Sequence, residues 1–109
     1  MTRPYVELHF DKVAPGEVLS IAFGDAAIAV FNVDGHYYAV DDLCLRCGSQ
    51  LARGSLRQTV IECAGCGWRY DVATGAQVSL PAIRIDAYPV RVDAQERTLA
   101  IVLPARTRP

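Results

Sequence analysis

Histidine, the commonest metal ligand and the usual proton carrier near neutral pH, is almost missing from this chain of 109 residues: only His9 and His36 occur. Both stand far in sequence from any other candidate ligand, on positions with strand or turn character, and they read as ordinary strand-face residues. There is also no Ser, His and Asp constellation and no phosphate-cradling glycine loop, and Glu7, Asp11, Glu17, Asp86 and Asp93 form no spaced carboxylate pair. The chain therefore carries no equipment for catalysing a reaction alone. Net charge is −1 and the Lys and Arg residues are scattered along the sequence, so no electrostatic footprint for nucleic acid or an anionic membrane is present. No apolar stretch approaches the length of a membrane span, and Met1-Thr2-Arg3-Pro4 lacks the features of a secretory signal. A soluble, cytoplasmic protein is expected.

Helical signals are poor too. Alternation of apolar and polar residues governs the first forty positions, with Tyr5-Val6-Glu7-Leu8-His9-Phe10 as a period-two strand run. Beyond Pro15-Gly16, strands are expected over Val18 to Phe23 and Ala27 to Val33, joined near Gly24-Asp25. The Asp34-Gly35 turn then leads to a strand over Tyr37 to Val40. Short strands follow over Val60 to Glu62 and Trp68 to Val72, forming a hairpin with Cys63 to Gly67 at its tip. The last are expected over Ala82 to Ile85, Tyr88 to Val92 and Leu99 to Leu103. Roughly eight short strands punctuated by Gly, Pro and Asp predict an all-β barrel or sandwich. One domain is expected over residues 1–103, with a small metal-binding subdomain at about 41–75 and a disordered tail at 104–109.

What the chain does have is four cysteines in two matched segments, Cys44-Leu45-Arg46-Cys47-Gly48 and Cys63-Ala64-Gly65-Cys66-Gly67. Each Cys-x-x-Cys-Gly can form a tight knuckle whose sulfurs share a centre, with the glycine taking a positive φ. Fifteen residues separate Cys47 from Cys63, within the spacing of a tetrahedral metal site. A reducing compartment disfavours two structural disulfides, and a dithiol redox role for one pair leaves the other unexplained.

Read outward from the knuckles, Asp41-Asp42-Leu43-Cys44, Gly48, Leu51, Gly54, then Cys63 with Gly67-Trp68-Arg69-Tyr70-Asp71 and Thr74-Gly75, resemble the cluster-binding segment of Rieske-type ferredoxins. Phe31-Asn32-Val33-Asp34-Gly35-His36-Tyr37-Tyr38-Ala39-Val40 is similar to the lead-in of that family. Leu80-Pro81 and Tyr88-Pro89-Val90-Arg91-Val92 are similar to its proline loop and closing strand. The resemblance implies a β-barrel or sandwich with a cluster-binding subdomain. It also implies Cys-x-His and Cys-x-x-His loops holding a [2Fe–2S] cluster, cysteines on one iron and histidines on the other. Cys44 and Cys63 match the cysteine positions, whereas the histidine positions hold Arg46 and Cys66. Cys47 and Cys66 then complete an all-thiolate, rubredoxin-like set.

Four thiolates accept one iron, one zinc or a [2Fe–2S] cluster. Two facing knuckles favour a single ion, and the family resemblance favours the cluster. Leu43, Leu45, Leu51, Trp68 and Pro81 are expected to cover the metal, with Gly48 and Gly67 shaping the knuckles. Arg46 is either a charge-compensating cation or a solvent-facing side chain. The leading expectation is a small electron carrier between a reductase and an oxygenase-type terminal enzyme. The alternative is a non-redox binding or structural module organised by zinc.

Overall fold

A computed structural model describes residues 5–24 and 26–103. Asp25 and the expected tail at 104–109 lie outside the described residues. Among the described residues, ten strands form three antiparallel sheets. The first sheet orders β1 (Tyr5–His9), β10 (Thr98–Val102) and β9 (Val90–Asp93), and the second orders β2 (Val18–Phe23), β3 (Ala26–Val33), β4 (His36–Asp41) and β8 (Ala87–Tyr88). The third is the small sheet β5 (Ser55–Arg57), β6 (Val60–Glu62) and β7 (Arg69–Asp71). The fold class is all-β, with single 3-10 turns at Phe10–Lys12 and Leu51–Arg53.

The apolar run in β3 explains how the sheets stack. Ile28 and Val30 enter one core with Val13, Ala39, Leu99, Ile101 and Leu103, between the first two sheets. The intervening Ala29 and Phe31 enter a second core with Val40, Leu51, Ile61, Tyr70, Val72 and Ile85. Alternate side chains point to opposite faces, so a strand buried on both sides carries apolar residues on both faces. β3 is that shared wall. The second core also contains Cys44 and Cys63, so the sulfur-bearing loops are anchored in the hydrophobic interior.

The β3–β4 hairpin turns at Asp34 (φ 52°) and Gly35 (φ 88°), the paired left-handed conformation that Asp-Gly favours in a two-residue hairpin. The C-terminal third departs from the expected pattern. Ala82 to Ile85 forms no strand and contributes only an isolated bridge between Arg84 and Ala76. The run Tyr88 to Val92 splits at Pro89, which has no N–H to donate: β8 pairs with β4, and β9 belongs to the first sheet. β5 leaves no signal in the sequence, because three residues around Leu56 are too few for a pattern to register.

Candidate metal centre

Both knuckles close by the same backbone logic. In the first, the Cys44 N–H donates to the Ser49 carbonyl (2.9 Å) and the Gly48 N–H returns to the Cys44 carbonyl (2.8 Å); in the second, Cys63 donates to Trp68 (2.7 Å) and Gly67 to Cys63 (2.9 Å). Gly48 (φ 79°) and Gly67 (φ 83°) take the left-handed turn, and a Cβ at either would meet nothing. Backbone strain alone therefore accounts for glycine there.

Amide groups converge on the sulfurs from matching offsets. Arg46 and Cys47 aim backbone N–H groups at Cys44, and Gly65 and Cys66 aim theirs at Cys63. Ser49 does the same for Cys47, and Trp68 for Cys66. Hydrogen bonds to sulfur favour the thiolate form that a metal requires.

The four Sγ atoms lie within 4.8 Å of one another, and no histidine accompanies them among the described residues. Across the loops, Cys44 Sγ stands 3.7 Å from Cys66 Sγ and Cys47 Sγ 3.4 Å from Cys63 Sγ. Four sulfurs at the corners of a tetrahedron, each about 2.3 Å from one ion, are about 3.8 Å apart. The four cysteines could hold a metal, and these spacings are compatible with one tetrahedral ion. His9 stays at the end of β1 with its Nδ1 accepting from the Asp11 N–H (3.2 Å), and His36 opens β4 opposite Val33.

The sulfurs occupy unequal surroundings. Cys44 and Cys63 are buried, Cys66 is half-buried and Cys47 is exposed. Burial pushes the Cys63 thiol up to about 11 against the N–H groups that favour its thiolate. The Ser49 hydroxyl, followed by the Ser49 N–H, brings Cys47 down to about 6. For Cys44, burial is outweighed by the Tyr70 hydroxyl (3.5 Å) and two backbone N–H groups, so its pKa is lowered. The Trp68 N–H favours the Cys66 thiolate, but burial and the neighbouring Cys44 and Cys47 sulfurs carry its pKa upward.

The apolar cover is one-sided. Leu51 is buried in the core that holds Cys44 and Cys63, and Trp68 packs against it, whereas Leu43, Leu45 and Pro81 are exposed. Arg46 places its guanidinium 5.8 Å above the Trp68 ring.

Three positioning residues went unassigned from sequence. Tyr70, fully buried, accepts from the Leu45 N–H (3.1 Å) as well as touching Cys44, so a strand of the small sheet braces the first knuckle. Asp42, also buried, accepts from Ser20 Oγ (2.6 Å), Gln50 Nε2 (3.0 Å) and the Ala52 N–H (2.7 Å), tying the same loop to β2. A carboxylate in three such bonds is well compensated for its burial. At Gly65 a Cβ would stand 2.5 Å from Ser49 Oγ and 3.0 Å from Cys47 Sγ, so the second knuckle lies directly against the first. A buried Asp or Tyr beside a cysteine carries no sequence periodicity, and the resemblance to Rieske-type ferredoxins is the signal that covers Asp42 and Tyr70.

Comparison with known proteins agrees with this architecture. The naphthalene 1,2-dioxygenase system ferredoxin component of Pseudomonas aeruginosa is 32% identical over 97 residues, covering 87% of this chain and 93% of that protein. The solved Sphingomonas yanoikuyae B1 ferredoxin superposes with a TM-score of 0.77 at 34% identity, over 88% of this chain and 94% of its own. A chain from the complex of reduced oxygenase and oxidized ferredoxin in carbazole 1,9a-dioxygenase gives a TM-score of 0.83 at 25% identity, over 95% and 97%. The family model for the Rieske [2Fe–2S] domain matches residues 3–96, and the chain is a member of that family.

Proposed function

We propose that this protein is a single-electron carrier of the Rieske ferredoxin kind whose metal is one iron held by Cys44, Cys47, Cys63 and Cys66, serving between a reductase and an oxygenase-type terminal enzyme. The observation that carries the reading is the sulfur quartet itself, with cross-loop separations of 3.4 and 3.7 Å that suit one tetrahedral ion. On this reading Cys66 stands where the family has its second histidine, and Cys47 supplies, one residue beyond Arg46, the donor lost at the first. The ferredoxin components of dioxygenase systems among its relatives support the carrier role and the class of partner.

Iron in such a site supplies one-electron chemistry, whereas zinc supplies none. The chain's own residues do the rest. The convergent N–H groups and the Tyr70 hydroxyl stabilise negative charge on sulfur. Leu51 and the surrounding core keep water from Cys44 and Cys63, and the exposed Cys47 leaves the centre near a surface where a partner can dock briefly. Four free thiols side by side suit a reducing compartment, in keeping with a cytoplasmic location.

Iron, zinc and acid-labile sulfide measured on protein produced anaerobically with ample iron test the reading. One iron per chain, no sulfide and a colour bleached by dithionite are expected. Two irons with sulfide would replace the single ion by the family's cluster. A colourless zinc protein under those conditions would overturn the carrier role in favour of a structural module.

A further inference from the structure

The fully exposed charge of the metal-bearing end is mostly positive. Over residues 41–75, Arg46, Arg53, Arg57 and Arg69 stand against Asp41, Asp42, Glu62 and Asp71, but of those acids only Glu62 is exposed. All four arginines are exposed. Glu62 pairs with Arg69 at 3.2 Å, and among the described residues the other three have no ion-pair partner.

Arg46, Arg69 and Arg57 also share a continuous surface. Arg46 lies over Trp68, and Trp68 lines a groove of about 210 Å³ with Arg69 and Leu80. Arg69 also lines an adjoining groove of about 600 Å³ whose walls include Arg57, Val78 and the Glu62 that pairs with Arg69. Val78 and Leu80 are large apolar side chains with about half their surface open to water (47% and 52%).

We propose that this strip, from Arg46 across Trp68 to Arg57, docks an acidic face of the redox partner, with carboxylates against the arginines and an apolar side chain against Val78 and Leu80. The proposal rests on the carrier reading and names the chemistry of the partner. Screening limits electrostatic reach to about 8 Å at physiological salt, so the local field, and not the net charge of −1, decides which surfaces approach. A tetrathiolate centre adds negative charge of its own at this end. Without the arginines an acidic partner would be repelled there, and with them the encounter is steered toward the metal.

The test uses zinc-loaded full-length chain and ¹⁵N–¹H correlation spectra, titrated separately with poly-L-glutamate and poly-L-lysine. Polyglutamate is expected to shift the Trp68 indole and the amides of Arg57, Arg69, Val78 and Leu80, with the response lost at high salt. The Arg57→Glu, Arg69→Glu double variant should weaken it roughly tenfold or more. The milder Arg57→Ala, Arg69→Ala pair should give an intermediate loss, which keeps the test decisive if the reversal disturbs folding. No response, shifts centred on the β1–β10–β9 sheet, or an equal response to polylysine would overturn the proposal. Zinc carries no electrons, so this outcome is independent of the iron analysis that tests the carrier reading.

Discussion

The segments Cys44–Ser49 and Cys63–Trp68 close through equivalent backbone hydrogen bonds and present N–H groups to sulfur at equivalent offsets, yet their third positions hold Arg46 and Gly65. The neighbours explain the difference. Position 65 faces Ser49 and Cys47 of the opposite loop at distances that leave no room for a Cβ. Position 46 faces outward and rests on Trp68. The burial of the sulfurs is split differently, since the first cysteine of each knuckle sits in the core and the second lies toward solvent. A duplicated backbone motif thus gives a symmetric donor set in an asymmetric shell, with one side insulated and one side open.

The largest effect that would break this comparison comes from removing sulfurs. Cys44→Ser or Cys63→Ser should weaken cobalt or zinc binding more than ~100-fold and lower the melting temperature, because the lost donor is also a core atom. Cys47→Ser at the exposed corner should cost affinity with a smaller loss of thermal stability. Equal destabilisation by all three in metal titrations and thermal unfolding would contradict the insulated-and-open division.

Next is thiol reactivity after chelator treatment. With Cys47 near pKa 6 and Cys63 near 11, Cys47 is mostly thiolate at pH 7 and Cys63 mostly protonated. Iodoacetamide should therefore modify Cys47 at least ~10-fold faster, with a rate rising through about pH 6 and then levelling. Peptide mass spectrometry showing comparable rates at the two sites would remove the asymmetry.

Gly65→Ala should cost about 1–2 kcal/mol by overpacking, a moderate amount because Ser49 Oγ can rotate away. That rotation also frees Cys47 of its hydroxyl partner and should raise the pH at which it reacts. The corresponding change in the other knuckle, Arg46→Ala, clashes with nothing. Its loss of the contact with Trp68 is worth about 0.5–1 kcal/mol at most, and removal of the cation should lower the midpoint potential of iron-loaded protein, with Arg46→Lys retaining most of it. An unchanged potential in spectroelectrochemistry would leave Arg46 as a surface side chain.

Much of this was legible in sequence for a plain reason. Strand alternation, the Asp34-Gly35 turn and the Cys-x-x-Cys-Gly spacing are local patterns, and local geometry produced them in the structure. The split at Pro89 depends on which sheet each half joins, which no local pattern records. Tyr70 reaches Leu45, Gly65 meets Ser49 and Cys47, and Asp42 bonds Ser20 as well as Gln50 and Ala52, so these roles emerge only in the folded chain. Of the apolar residues expected over the metal, Leu51 is buried and Trp68 packs against the same core, while Leu43, Leu45 and Pro81 are exposed.

X-ray absorption at the iron edge of anaerobically purified protein addresses the shared centre most directly. Four sulfur neighbours at about 2.3 Å with no second iron nearby is the predicted result. A short iron–iron vector, or nitrogen in the coordination shell, would contradict it.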